Sequence, residues 1–190
     1  SELFGGGNII LVSPQNKILH ALAYRRMRDR NVLRGETFQH APPSGRNPLT
    51  LTRQDFSEMK HLGRLETVRA LTRFLSIGGL YAEEILLRAQ VEKGVSCEAL
   101  TEQEMDAIFG QLHQLLSVIE VGNIEPCVII NGTGGSVDVV PVPLKKHANF
   151  GKKTYKTFNE ALDEYYTEAA VKERVVKVAK EVERELAKQK

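Results

Sequence analysis

The sequence predicts an α+β protein: a β-hairpin at the edge of a truncated sheet, a helical module, a second β-hairpin and a long C-terminal coiled-coil helix. Three observations support this fold class. Apolar runs bounded by turn-forming residues open the chain and recur at residues 126–144, as expected for strands. Apolar residues spaced by three and four fill the middle of the chain, as expected for helices. Valines at heptad spacing follow near the C-terminus.

The composition is that of a globular protein. Of 190 residues, 42% are hydrophobic and 26% are charged, which suits one large domain or two small ones. The sequence contains no apolar window of about 18 residues and no basic-then-apolar leader, so we expect a cytoplasmic protein without a membrane span. Because the chain opens on Ser1 rather than methionine, we expect it to be a piece of a longer protein.

Cysteine and histidine placement predicts neither a metal site nor a cofactor. Cys97 and Cys127 are far apart and match no paired metal spacing. We expect two buried, reduced thiols, although the sequence leaves a disulfide open. The five histidines are scattered, with no His, Cys or carboxylate at metal-ligand spacing. They are interpreted as ordinary surface or core residues.

A hairpin and a linker are predicted in the N-terminal part. Residues 8–12 form a short apolar run, residues 13–16 carry the turn signal Ser-Pro-Gln-Asn, and residues 17–24 continue as a second strand. Residues 35–48 are rich in Gly, Pro, Ser and Asn and predict a linker.

Three helices are predicted before a longer fourth one. Thr52 is the expected N-cap of a helix over residues 53–62. A second helix carries Val68, Leu71 and Leu75 on one face, and a third covers residues 80–89. Thr101 and Glu104 then form a capping box, in which a hydroxyl and a carboxylate satisfy free amides at a helix start.

The chain is predicted to return to β structure and to end in a helix. Two β-branched runs flank an Asn-Gly signal at Asn131 and Gly132, which indicates a hairpin. Thr157 and Glu160 form another capping box. The helix that follows carries a coiled-coil seam of four valines, and we expect its partner helix beyond Lys190. The seam consists of Val171, Val175, Val178 and Val182.

Positive charge is concentrated in two segments, although the net charge is only +2. Clustered cations of this kind suit a phosphate-rich partner. Alternatives stay open: the first cluster also fits a solvated strand end or a local Arg–Asp–Arg salt-bridge network, and the second a solvated loop. The candidate RNA-binding residues in the two clusters are Arg25, Arg26, Arg28, Arg30, Arg34, Lys145, Lys146, Lys152 and Lys153.

Gly78 and Gly79 are the third candidate for RNA binding. They separate two apolar helices, in a pattern that resembles a helix-hairpin-helix module. Glycines there let backbone amides at a helix N-terminus approach a phosphate closely. The alternative is a tight helix–helix turn that needs glycine only for steric reasons. The adjacent acids Glu83 and Glu84 weaken a direct phosphate role.

The sequence contains no catalytic motif. It has no nucleophile elbow, no Walker motif and no dinucleotide fingerprint. The acids of residues 102–106 are interpreted as the solvated face of a helix. We therefore expect a protein that is not an enzyme. A nuclease or glycosylase is an alternative without a supporting residue.

Four blocks together resemble the NFACT family, which includes the eukaryotic CAT-tailing factor, bacterial RqcH and fibronectin-binding-protein-A-like proteins. The blocks are ELFGGGNIIL at 2–11, RDRNVLRGE at 28–36, GGLYAEEI at 78–85 and YKTFNEALDEYY at 155–166. They cover the chain in the family's order and spacing, and an archaeal member is expected.

The resemblance implies an architecture. Residues 1–48 would be the second half of an N-terminal β domain, 49–125 the helix-hairpin-helix module, 126–156 a β-hairpin with a basic loop, and 157–190 the start of the coiled coil. The family's Asp-Arg pair would lie in the missing first half, so Asp29 and Arg30 are not assigned that role.

The resemblance also implies a function. Family members bind a large ribosomal subunit carrying a stalled peptidyl-tRNA, recruit tRNA and support template-free addition of residues to the nascent chain. The implied partners are large-subunit rRNA, tRNA and a coiled-coil helix of the same full-length chain. The alternatives are a coiled-coil interaction scaffold, or a surface adhesin as the older family label suggests.

Overall fold

A computed structural model describes residues 1–2, 7–42 and 45–188. The chain separates into two units, Ser1–Ser44 and Gly45–Lys190. The fold is α+β, with short antiparallel sheets and helices, as the sequence predicts.

The first unit contains two small antiparallel ribbons. Strands β1 (Ile10–Val12) and β2 (Ile18–Ala21) form the predicted hairpin, and β3 (Arg25–Arg26) pairs with β4 (Asn31–Val32). Ile18 and Ala21 are both buried although they lie three positions apart, because the register shifts between Leu11 and Val12 and interrupts the alternation of side chains along β2. Ile9, Leu11 and Leu22 are exposed.

The predicted linker is shorter than residues 35–48. At its start, Gly35 N–H donates to the Ile18 carbonyl at 2.8 Å, and Ile18 N–H donates to the Glu36 carbonyl at 2.9 Å. This part of the segment therefore belongs to the first unit. At its other end, Arg46 N–H donates to the Phe74 carbonyl at 2.7 Å, which ties that residue to the second unit.

The second unit begins with the predicted helices. Helix α1 (Arg53–Ser57) continues as a 3-10 helix over Glu58–Leu62. It is followed by α2 (Thr67–Leu75), α3 (Gly79–Ala89), a 3-10 turn at Cys97–Ala99 and α4 (Glu102–Glu120). Thr52 caps α1 and Thr101 caps α4, both through capping boxes, so these two predicted helix starts are confirmed.

The apolar faces of these helices form one core. Its fully buried members include Phe56, Met59, Leu71, Ile85, Ile108 and Leu112. Cys97 and Cys127 are also buried there as free thiols, as expected.

A three-stranded sheet follows α4. Strands β5 (Cys127–Ile130) and β6 (Ser136–Val140) form the predicted hairpin, and the strand order is β6–β5–β7. Strand β7 (Gly151–Thr154) pairs with β5, and a 3-10 turn covers Lys145–His147. The prediction of a basic loop was therefore wrong for residues 151–154, because the backbone of β5 holds them as a strand.

Helix α5 (Phe158–Lys188) ends the described chain. The hydroxyl of Thr157 accepts the amide of Glu160 at 3.2 Å, as in the predicted capping box. The helix buries Ala161 and extends beyond the sheet, where Val171 and Val175 are exposed. The side chains of Val178 and Val182 lie outside the described residues, so the coiled-coil seam stays a prediction. Among the described helices, none is long and apolar enough to cross a membrane.

Candidate nucleic-acid interface

The turn between α2 and α3 presents an open helix N-terminus. Gly78 is the N-cap of α3 and offers no side-chain hydrogen bond to the first amides, which have no partner within the helix. A Cβ added at Gly78 or Gly79 would meet no atom within 4 Å. Packing therefore does not require glycine here. The left-handed residue of the turn is Ser76, with φ of 52°.

Glu84 anchors the lysine segment, residues 145–156, on α3. Its carboxylate is fully buried and accepts backbone amide hydrogen bonds from Lys145 at 2.9 Å and Lys146 at 3.0 Å. Arg88 donates to the same carboxylate at 2.5 Å and to the Pro143 carbonyl at 3.2 Å. Burial alone raises the pKa of Glu84, but these donors outweigh it and hold the pKa below its ordinary value. The carboxylate is therefore charged, and it fixes the course of the lysine segment.

Glu83, the adjacent residue, faces outward and holds two ammonium groups. Lys146 Nζ donates to one carboxylate oxygen, and Lys93 Nζ donates to the other at 3.1 Å. Hydrogen bonds from Lys146 and Lys93 lower the pKa of Glu83. The two acids expected to repel a phosphate near Gly79 are thus both engaged with the lysine segment.

The other lysines of the segment differ in how freely they can bind. Lys152 pairs with Glu125 at 3.2 Å, and Lys153 pairs with Glu164 at 2.6 Å. The hydrogen bond from Lys153 to Glu164 raises the pKa of Lys153. Lys145 is exposed, and within the described part of the chain no carboxylate lies within 4.0 Å of its ammonium group. Its ammonium group is therefore available to a phosphate.

The arginines of the first unit are mostly exposed. Arg25 and Arg26 lie in β3, and Arg28 and Arg34 lie in the flanking loops. Arg30 differs from them.

The side chain of Arg30 is only 7% exposed. It pairs with Glu2 at 2.5 Å, approaches Asp29 to 3.9 Å and donates to the Gln39 carbonyl at 2.9 Å. The salt-bridge alternative therefore describes Arg30, whose guanidinium is committed within its own unit.

The acids predicted to form a solvated helix face are exposed, since the side chains of Glu102 and Asp106 are 70% and 66% exposed. They also form ion pairs that the sequence did not predict: Arg53 donates to Glu102 at 3.0 Å and to Asp106 at 2.5 Å. Lys60 also binds Glu102, at 2.6 Å. These bonds join α1 to the start of α4. Among the described residues, no three His, Cys, Asp or Glu side chains are grouped as for a metal ion.

The fold is that of an α+β protein in which helix α3, which begins at Gly79, holds a 3-10 turn that carries two lysines. Residues 1–190 match the family described as NFACT N-terminal and middle domains, and the chain belongs to that family. It is 34% identical over 197 residues to the archaeal Rqc2 homolog aRqcH of Methanocaldococcus jannaschii. The match covers 97% of this chain and 28% of that protein, so the chain spans less than a third of its relative.

Two solved structures share the fold. The fibrinogen-binding protein of Staphylococcus aureus superposes with a TM-score of 0.65 at 20% identity, over 84% of this chain and 55% of that chain. The N-terminal part of the fibronectin/fibrinogen-binding protein of Streptococcus suis gives a TM-score of 0.52 at 20% identity, over 84% and 52%. At this identity the likeness concerns fold alone.

Proposed function

We propose that this chain is the RNA-binding part of a ribosome-associated quality-control factor. Membership of the NFACT family and the likeness to an archaeal Rqc2 homolog support this assignment. The observation that carries it is the anchoring of Lys145 and Lys146 on α3 by the buried Glu84 carboxylate. A buried charge is costly unless it is fully bonded, so this attachment keeps the lysine segment in one place.

The proposed RNA surface of the second unit has two parts on one helix. The first amides of α3 carry partial positive charge and lie beside two glycines that leave the approach open. Glu84 lies five positions after Gly79, about 7.5 Å along the helix at 1.5 Å per residue. In this proposal the exposed Lys145 and the α3 N-terminus contact the same RNA strand. Lys146, Lys152 and Lys153 would exchange a carboxylate partner for phosphate.

The first unit contributes a separate cationic surface in this proposal. Arg25, Arg26, Arg28 and Arg34 are exposed and available to phosphate oxygens, whereas Arg30 supports their fold. Contacts to phosphates position a protein on RNA without reading sequence. The proposed partners are accordingly large-subunit rRNA and tRNA in the cytoplasm. In this proposal the chain binds RNA and catalyses no reaction, and the ribosome forms any peptide bond of a template-free tail.

The domain assignment belongs to the same proposal. The first unit would be the second half of an N-terminal β domain, and the exposed Ile9, Leu11 and Leu22 would be covered by its first half. Residues 49–125 would form the helix-hairpin-helix module, and 157–190 would begin a coiled coil.

A protein-interaction scaffold is the second candidate. Val171 and Val175 are 56% and 62% exposed and lie one helical turn apart on α5. An apolar pair on one face of an exposed helix suits a partner helix of the same full-length chain.

The test measures binding of tRNA and of a stem-loop of large-subunit rRNA by fluorescence anisotropy across a series of salt concentrations. We expect affinity to fall steeply with salt, because bound counterions are released from the RNA. Lys145→Ala, and Arg25→Ala with Arg26→Ala, should each weaken binding and lower the salt slope by about 0.7 to 0.9 per lost phosphate contact.

The matched control is Arg64→Ala, because Arg64 is an exposed arginine that lies on neither proposed surface. It should leave both affinity and slope unchanged. Equal losses for all variants would indicate that only net charge matters. The assignment to the ribosome is tested by asking whether large subunits co-purify with the full-length protein, and their absence would contradict it.

A further inference from the structure

A shallow groove runs beside the C-terminal half of α3. Its cavity volume is about 280 Å³. The lining residues are Glu83, Leu86, Leu87, Val91, Lys93 and Lys146. The volume lies just below the roughly 300–1,000 Å³ of small-molecule sites, so the groove suits one or two side chains better than a whole cofactor.

The floor of the groove is aliphatic. Leu86 and Val91 are buried and belong to the main core, which fixes their positions. Leu87 is 49% exposed and projects from the same stretch of helix. An apolar side chain placed here would remove Leu87 from water, and such burial stabilises a complex roughly in proportion to the area covered.

The rim of the groove is cationic and anchored. Lys93 and Lys146 both reach Glu83, and the backbone of Lys146 is fixed by Glu84. One carboxylate therefore serves two ammonium groups. Because exposed ion pairs contribute little net free energy, an incoming carboxylate can take over one of the lysines at small cost. The rim thus favours an anionic ligand over a cationic one.

We propose that this groove binds an acidic peptide segment of a partner protein, with an apolar side chain on Leu87 and its carboxylates at Lys93 and Lys146. A peptide fits better than RNA because, among the described residues, no aromatic side chain lines the groove for a base to stack on. The polar edges of a base would also lose their hydrogen bonds to water against an aliphatic floor. This site goes beyond the RNA binding proposed above and does not depend on it.

The probe is a short fluorescein-labelled peptide in which aspartates flank a phenylalanine and a leucine, titrated with the whole 190-residue chain. We expect saturable binding, weakened about tenfold or more by Leu87→Asp and by Lys93→Glu. A peptide with serines in place of the two apolar residues should bind at least about tenfold more weakly. Added salt should weaken binding, but less steeply than it weakens RNA binding.

Val121→Asp is the matched control for Leu87→Asp, because Val121 is 80% exposed and does not line the groove. Leu87→Ser provides a milder second variant, and thermal unfolding of each protein checks that it is folded. Peptide binding that is unchanged by Leu87→Asp and Leu87→Ser would overturn the proposal. The absence of saturable binding would also overturn it. So would displacement of the peptide by oligouridylate if Lys93→Glu alone abolished that displacement, because RNA would then be the ligand of the groove.

Discussion

The carboxylate of Glu84 accepts a hydrogen bond from the backbone amide of Lys146 at 3.0 Å, across 62 positions of sequence. The amide of Lys145 and the guanidinium of Arg88 complete the set of donors. A helix of the helical module is thereby joined to the turn that leads into β7. Most of the functional proposals made for the second unit depend on this one side chain.

Replacing Glu84 should therefore destabilise the second unit. Glu84→Ala leaves two amides and the Arg88 guanidinium without their acceptor, and we expect a loss of about 3 kcal/mol in the free energy of unfolding. Glu84→Gln keeps the shape but places an NH₂ group against donors, so a loss of about 1–2 kcal/mol is expected. Urea unfolding at neutral pH measures both. Equal stability of Glu84→Ala and the unmodified protein would contradict the role of Glu84.

The same carboxylate predicts a dependence of stability on pH. Burial raises the pKa of Glu84. Hydrogen bonds from the amides of Lys146 and Lys145 and from the Arg88 guanidinium lower it by a larger amount, so the folded pKa lies below the unfolded value. A depressed folded pKa stabilises the protein above the unfolded value, which is about 4.3 for glutamate. This contribution disappears as the pH falls through the folded pKa.

The measurement is the free energy of unfolding between neutral pH and about pH 3, compared with Glu84→Gln. The difference in stability between the two proteins should shrink as the pH falls below about 4.3. Other carboxylates with lowered pKa values, such as Glu83 and Glu102, remain in both proteins and cancel in that difference. A difference that stays constant with pH would mean that the charge of Glu84 is not what stabilises the fold.

Two glycines near the α2–α3 turn should respond oppositely to alanine. A Cβ at Gly45 would lie 2.7 Å from Ser76 N and 2.8 Å from the Phe74 carbonyl oxygen, so the backbone must shift. We expect Gly45→Ala to cost about 1–3 kcal/mol. Gly79→Ala meets open space at the first position of a helix and should be neutral or stabilising by up to about 1 kcal/mol.

Thermal unfolding measures the stability of both variants. RNA affinity is measured in addition for Gly79→Ala. If phosphate approaches the α3 amides, this variant should bind RNA more weakly while remaining at least as stable. Unchanged RNA affinity would remove the α3 N-terminus from the proposed surface but leave Lys145 in it.

The two cysteines should be unreactive in the folded protein. Burial raises the pKa of Cys97 and of Cys127, and the thiolate is the reactive form. The Cys97 thiol also donates to the Gly63 carbonyl at 3.0 Å. We expect slow labelling by a disulfide reagent near pH 8 and full labelling of both thiols in denaturant. Rapid labelling of the native protein would show that the core opens around one of them.

The sequence predicted those elements that depend on neighbouring residues. The capping box of Thr101 and Glu104 lies within one helical turn, and α4 begins where that pair places it. The Asn131 turn is likewise local, since its side chain accepts amides at Thr133 and Gly135. The apolar faces of α2 and α4 were also predicted, because each depends on residues three and four positions apart in the same helix.

The missed features depend on distant partners. Strand β7 has the sequence Gly-Lys-Lys-Thr, which has little strand propensity, and it is a strand because β5 supplies its hydrogen bonds. Glu83 and Glu84 are identical neighbours, yet one faces water and the other is buried. The one local signal for Glu84 is Arg88, four residues later on the helix. The bond from Arg53 to Glu102 spans 49 positions and has no local signal.

Because β7 is an edge strand of its sheet, Lys152 and Lys153 have a second role. Among the described strands, none lies beyond β7, so its outer backbone groups can accept a strand from another molecule. Charged side chains along an edge strand keep copies of a protein from pairing edge to edge. Alanine at these positions would thus lower RNA affinity and promote self-association at once, and the two effects would be confused in any assay at high concentration. Glutamate removes the attraction for phosphate while keeping the edge strand charged, which makes it the informative replacement.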